Sequence, residues 1–229
     1  MKKKKGVRRM TFNFTAVLAY RELFFLGLKN TILISLTAMI FALIIGTIAA
    51  FCRISHLRIP RYLAIFYIEI IRNTPILIQV YFMYFGIGQL IRYKTIFWPS
   101  VAILAFFSGS FVAEIIRSGI NAIPNGQKDA AFSIGMSSIQ VARYVVFPQA
   151  LRRVLPALAG QLITLIKTSS LVSLLALEDL TYVAQRVSMM TFRVLESYII
   201  VAVFYFIITS TLSQGIGLLE RKLARSSKL

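Results

Sequence analysis

The distribution of hydrophobic and polar positions divides the chain into long apolar stretches separated by short charged ones. A helix needs about 20 largely apolar residues to cross the hydrocarbon core of a bilayer. Thr31 to Phe51, Leu77 to Ile91, Ile96 to Ile116, Leu155 to Leu177 and Tyr198 to Leu219 are therefore read as five spanning helices. The second is the shortest. Its missing length is found in Tyr62 to Ile71, apolar except for Glu69 and joined to Leu77 through Arg72, Asn73, Thr74 and Pro75. Pro75 lacks a backbone donor and disfavours helical geometry at Thr74, which predicts a kink or break. Broken membrane helices line cavities, because freed backbone groups need polar company.

Composition supports lipid as the solvent. Of 229 residues, 58% are hydrophobic, only 8 are Asp or Glu, and the mean hydropathy is +0.76, beyond the usage of soluble domains. The fold class expected is an all-α membrane protein with one bilayer domain at 31–220, a basic segment at 1–30 leading into it, and a basic tail at 221–229. The net charge of +18 does not point to nucleic acid, because the 26 Lys and Arg residues lie in short segments between apolar runs instead of forming one stripe with aromatic partners. Cys52 is alone and His56 is the only histidine, so no intrachain disulfide or multi-histidine metal site is expected. Thr11 to Lys29 is interrupted by Arg21, Glu22 and Lys29 and is read as part of the mature chain, not as a signal peptide.

Basic residues in short loops mark the cytoplasmic side. Arg53, Arg58 and Arg61 follow the first span; Lys128, Arg143, Arg152 and Arg153 lie between the third and fourth; Arg221, Lys222, Arg225 and Lys228 form the tail. With five spans these share a side, placing the C-terminus in the cytoplasm and the N-terminus outside. Lys2 to Lys5, Arg8 and Arg9 run against that rule, and an N-terminal helix along the interface is the alternative.

One connecting segment, within 121–148, is unusually organised. Gln127 to Ile134 contains good helix formers, Gly135 suits the left-handed end of a helix, and Ser137 with Gln140 fits a capping box opening the next one. The expected product is a rigid knob able to transmit force from another protein, with small Ala130 and Ala131 permitting close approach. The plainer reading is an ordinary connecting loop.

This segment resembles the permease subunits of bacterial ABC importers, whose signature is Glu-Ala-Ala, three residues, Gly, nine residues, then Ile, any residue, Leu, Pro. Asp129, Ala130, Ala131, Gly135, Val145, Phe147 and Pro148 stand at those spacings, and Gly126 precedes them. The departures are Asp129 for Glu, Val145 for Ile and Phe147 for Leu. Gly27-Leu28-Lys29-Asn30-Thr31, Arg72 to Gln79, Ala113 to Ile120 and Lys167 to Leu171 look like the amino-acid branch of that family. The resemblance implies a type I importer permease fold with a cytoplasmic coupling helix. It implies a second permease subunit, identical or paralogous, an ABC ATPase subunit that uses ATP and Mg, and an extracytoplasmic solute-binding protein that delivers an amino-acid substrate. It also implies residence in the inner membrane of a bacterium. No Gly-x-x-x-x-Gly-Lys-Ser/Thr phosphate loop occurs in the chain, so it is expected to be no enzyme, with no catalytic residue and no cofactor of its own.

Ionisable residues at membrane depth are functional candidates. Glu114 with Arg117, and Glu69 with Arg72, are three apart on helix faces and are expected to neutralise each other in a structural or gating role, near the kink at Asn73, Thr74 and Pro75. Lys167, Thr168, Ser169 and Ser170 either bind an amino-acid carboxylate or bond back to their own helix. Ser108, Gly109 and Ser110 either pack helices closely or open space for solute. Glu178, Asp179 and Glu196 would favour a basic cargo if free, and would not if paired with Arg186 and Arg193. Two rivals stand beside an amino-acid importer: an ABC permease for another small polar solute, and an ion-coupled carrier using Glu69, Glu114 and Lys167.

Overall fold

The computed structural model describes residues 12–88 and 95–225. Among these the chain is helical: α1 (Phe14–Leu18), α2 (Arg21–Ile54), α3 (Arg58–Asn73), α4 (Ile76–Tyr81), α5 (Phe97–Asn121), α6 (Asn125–Ser133), α7 (Ser138–Gln140), α8 (Phe147–Thr168), α9 (Leu180–Thr191) and α10 (Val194–Arg225). α4 runs on through wider π-helical turns over Phe82–Ile87, similar turns over Val141–Val146 join α7 to α8, and α8 tightens into a 3₁₀ helix over Ser169–Leu175. By length and composition α2, α5, Ser138–Leu175 and α10 can each cross a membrane, and α3 with α4, bent by 111°, is long and apolar enough to make a fifth when counted as one broken span.

The bend sits at Pro75, and its chemistry is complete. Proline cannot donate to the carbonyl of Ile71, and an unpaired carbonyl away from water is costly. The side-chain amide of Gln79 donates to Ile71 O at 2.7 Å and to Thr74 O at 2.8 Å. Pro148 explains the second irregularity. Its ring would strike the carbonyl of Tyr144 in a regular helix, and the π-helical turns over Val141–Val146 widen the backbone just there.

α2 and α5 make the most extensive helix contact. Small residues allow membrane helices to approach closely, and Gly46 is the clearest case: a Cβ there would lie 2.5 Å from Val112 Cγ1 and 2.7 Å from Gly109 O. Ile34, Ala38, Ala42, Leu104, Val112, Leu165 and Val172 form the core between α2, α5 and α8. A second core gathers Val17, Phe24, Leu180, Val183, Val187 and Val201. It binds α1 and α9 to α10, and the Asn13 N–H donates to Glu196 at 3.0 Å.

Several boundaries differ from the hydropathic reading. α2 begins at Arg21, not near Thr31, because a helix continues past the apolar core as long as its backbone can pair. The same holds for α5, which extends to Asn121, and for α10, which spans 194–225. The fourth span is one continuous helix from Ser138. The second span was expected to reach Ile91, and its last residues lie outside the described ones, as do the basic N-terminus at 1–11 and Lys228. α9 was not expected. Its apolar positions Leu180, Val183, Ala184 and Val187 have helical spacing and are buried, but the run is too short to register as a span.

Gly46→Ala tests the α2–α5 crossing. Alanine gains about 1 kcal/mol of helix propensity, whereas overpacking a tight contact costs about 1–3 kcal/mol. The melting temperature in detergent is expected to fall, with partial recovery when Val112 is also changed to Ala.

Candidate functional site

The expected knob forms. α6 ends at Ser133 with Ile134 as its cap, Gly135 takes a φ of +83°, and two bonds close the turn: Gly135 N–H donates to Phe132 O at 2.9 Å and Met136 N–H to Ala131 O at 3.2 Å. This paired arrangement is the Schellman motif. Ser137 and Gln140 then form the reciprocal capping box. Gln149 donates to Gln127, and Arg153 donates to Ala122 O at 2.6 Å, so the knob is tied to α8. Gly126, Asp129 and Ala130 are exposed. Ala131 is buried, so its small size serves packing within the chain and not, as expected, the approach of a partner. The outer surface carries apolar side chains that the sequence reading passed over: Ile134 is 78% and Ile139 79% exposed, with Phe132 and Tyr144 beside them. Large apolar groups projecting from a polar, capped segment are suited to a protein partner.

At the same end of the bundle, Glu114 collects cations from three helices. Arg117 of α5 pairs with it closely, Arg53 of α2 donates at 2.6 Å, and Arg72 of α3 lies 4.0 Å away. The Glu114–Arg117 pair was expected; a Glu69–Arg72 pair is not among the ion pairs of the described residues. Glu69 instead accepts from Asn73 at 3.1 Å and lies 3.9 Å from Arg53, while Arg72 sits over the Phe111 ring. Tertiary crossing of α2, α3 and α5 overrides the three-residue spacing, because it brings a more buried carboxylate within reach. A cavity of about 470 Å³ opens beside this cluster, lined among others by Arg72, Phe111, Glu114, Arg153 and Gln161. Gln161 donates to the buried Ser108 at 2.8 Å; its position in an apolar run was the available signal. Ser110 bonds back to Phe107 O, and Gly109 abuts Tyr67 and Ile45, so this small-residue patch packs helices.

A second cavity, of about 330 Å³, lies between the end of α8 and the start of α10. Lys167, Ser170, Thr181, Tyr198, Val201, Ala202 and Tyr205 line it. Ser169 and Ser170 bond back to Ile166 O and Lys167 O, whereas Lys167 is exposed toward the cavity. Glu178 pairs with Arg186 at 2.9 Å and Glu196 with Arg193 at 3.6 Å. Neither acid is a free counter-ion for a cationic cargo.

Asp179 is wholly buried and caps α9, accepting from Tyr182 N–H at 2.8 Å. Tyr205 donates to its other oxygen at 3.4 Å. Burial pushes the Asp179 carboxyl up from 3.8 to about 6, opposed in part by the Tyr182, Thr181 and Tyr205 donors. Between those values the folded chain holds a proton that the unfolded chain releases, so this contribution to stability is full in acid and lost as pH rises through about 6.

Comparison with known proteins agrees with this architecture. The chain is 34% identical over 215 residues to the arginine transport system permease protein of Bacillus subtilis, covering 93% of this chain and 98% of that one. It is 37% identical over 216 residues to the glutamine transport system permease protein of Escherichia coli, covering 93% and 99%. A crystal structure of an amino acid ABC transporter with histidines superposes with a TM-score of 0.89 at 38% identity, over 93% of this chain and 100% of that one. An inward-facing methionine ABC transporter shares the fold, at a TM-score of 0.75 and 17% identity over 90% and 98%. The family model for the inner membrane component of binding-protein-dependent transport systems matches residues 24–225. With its five-span bundle and Schellman-capped knob, the chain belongs to the binding-protein-dependent transport system inner membrane components.

Proposed function

We propose that the chain is the membrane-spanning subunit of an ATP-driven amino-acid importer, moving its cargo by alternating access. The observation that carries this reading is the capped knob with its exposed Ile134 and Ile139, continuous through α7 with the long helix that reaches Lys167. An ABC ATPase subunit, holding ATP and Mg, docks on that knob; the chain itself performs no covalent chemistry. A second permease subunit completes the path, and an extracytoplasmic solute-binding protein supplies the substrate. The knob end faces the cytoplasm with the C-terminus, and α1 and α9 lie on the opposite, outer side.

The cavity beside Glu114 is the cytoplasmic half of the path. Its wall holds Arg72 and Arg153, and the pairing of Glu114 with Arg53, Arg72 and Arg117 joins three helices at one point. A relative tilt of α2, α3 and α5 must rearrange that cluster, which suits a gate. An ion-coupled carrier is disfavoured because Glu69 and Glu114 are held among arginines while Lys167 faces the other cavity. Another small polar cargo is the remaining rival, and the two named permease relatives, for arginine and glutamine, favour an amino acid.

Two variants test the coupling and the gate. A β-branched residue in the left-handed conformation at Gly135 costs about 1–2 kcal/mol, so Gly135→Val is expected to lose at least half of ATP-driven uptake in proteoliposomes while ATP hydrolysis persists or the ATPase dissociates. Unchanged uptake and assembly overturn the coupling role. Gly126→Ala meets no atom of the chain within 4 Å and serves as the folding control. Glu114→Gln leaves three arginines without their carboxylate; the expected result is a lower melting temperature, together with ATP hydrolysis no longer stimulated by the loaded binding protein.

A further inference from the structure

The basic residues before α1 run against the rule that places the other cationic segments in the cytoplasm. The eleven residues that precede Phe12 include six Lys and Arg and no Asp or Glu. They lead into the end of the bundle opposite the knob, where α1 is fastened on one side only. Val17 is buried with Phe24 and Leu180, and the Asn13 N–H donates to Glu196 at 3.0 Å. Phe14 and Leu18, four residues apart and so on one helix face, are exposed, and the exposed Phe12 ring stacks on Phe14.

The tip of α9 adds to this surface. Met189, Met190 and Phe192 are exposed, Phe192 at 89%. Arg193 pairs with Glu196 at 3.6 Å, so Phe12 and Phe192 each adjoin a residue bound to the same carboxylate. The two exposed sets therefore belong to one apolar collar. Phe192 also holds a φ of +56°, a left-handed backbone that glycine enters at far less cost. At its exposure the ring gains little from packing within the chain, so it serves something outside. The height of the collar says what. Phe192 stands six residues before Tyr198, where the last apolar run begins, which is about 9 Å at the helical rise, on the order of the headgroup layer of a bilayer.

We infer that α1 and the tip of α9 form a collar seated in the outer leaflet, and that Lys2 to Lys5, Arg8 and Arg9 bind the anionic phospholipid headgroups around it. The inference rests on the orientation with the knob in the cytoplasm. It adds the ligand that holds a cationic segment on the opposite side.

The chemistry is that of a two-part anchor. A cluster of basic residues or a few apolar side chains alone bind a membrane reversibly, whereas the two together anchor it. Here the basic run leads directly into Phe12. The charge selects the lipid, since each Lys or Arg near an anionic surface adds to the attraction and none is gained from a zwitterionic one. A protein-docking patch carries a polar rim, but Glu196, the acid that ties the collar together, is turned inward at 5% exposure. α1, α9 and the start of α10 share one core, so a collar held by lipid steadies the outer end of the bundle while the knob end moves.

The test uses the complete importer in nanodiscs of phosphatidylcholine alone or of phosphatidylcholine with phosphatidylglycerol. An environment-sensitive fluorophore is placed on Thr15→Cys, an exposed position of α1, in a Cys52→Ser background. Its emission is expected to be roughly two-fold brighter with phosphatidylglycerol, and the gain to vanish in high salt. Replacing Lys2 to Lys5, Arg8 and Arg9 together by Gln is expected to abolish the gain with the melting temperature unaltered. Phe192→Gly is expected to weaken it while the melting temperature holds or rises, an outcome that a merely structural ring would not produce. Equal emission in the two lipids overturns the inference. So does a six-fold Gln variant that raises the KM for the loaded binding protein equally in both lipids, which would give the basic residues to that protein. Sidedness is read separately, by a membrane-impermeant maleimide on Gly6→Cys in right-side-out vesicles. Reaction from outside is expected; reaction only after the vesicles are opened would overturn the orientation itself, and the outer-leaflet placement with it.

Discussion

One length of backbone connects the two ends of this protein. From Ser138 to Leu175 the chain is a single continuous helix, and at a rise of about 1.5 Å per residue it reaches from the knob to the far cavity. The knob and one wall of each cavity are attached to it. The knob is fixed at its start by the Ser137 capping box and the Gln127–Gln149 contact, Gln161 and Arg153 face the first cavity, and Lys167 faces the second. Pro148 would break such a rod if its backbone were regular, and the π-helical turns before it keep the helix whole. In the proposed importer a push on the knob would travel along this helix, past Pro156 in its interior, toward Lys167.

The rest of the bundle supplies something for that rod to move against. α2 and α5 approach until Gly46 and Gly109 leave no room for another atom, which makes the pair a firm support. The Arg53, Arg72 and Arg117 cluster on Glu114 then fastens α3 to that support at the knob end. At the other end α1 and α9 are fastened to α10 by Val17, Leu180, Val187 and the Asn13–Glu196 bond. Charged pairs that can exchange partners and a bend at Pro75, satisfied by one glutamine, are the places where such a structure can yield.

Much of this was legible in residue types. The apolar runs located the spans, Pro75 announced the bend, and the Gly135, Ser137 and Gln140 spacing announced a turn whose every hydrogen bond is present. What escaped had a common physical reason. Helix ends overran the apolar cores because pairing of the backbone, not hydropathy, ends a helix. Arg72 abandoned Glu69 for Glu114 because helix crossing decides which carboxylate is near. The exposed Ile134 and Ile139, the Gln79 and Gln161 amides, and the Tyr205–Asp179 pair depend on facing, which five apolar runs read one at a time do not reveal. Asp179 before Leu180, with Val183, Ala184 and Val187 at helical spacing, was a visible signal for α9.

The central claim is that the knob drives the path through a stiff helix. Electron–electron distance measurement tests it most directly, with spin labels on a Cys52→Ser background of the assembled importer. One pair is placed at Leu151 and Leu174 along the helix, away from the docking surface, and another at Leu174 and Ile40, all exposed positions. On trapping the ATP-bound state, the account predicts that the Leu151–Leu174 distance stays constant while the Leu174–Ile40 distance changes. A changed distance within the helix, with Leu174 stationary against Ile40, would contradict it.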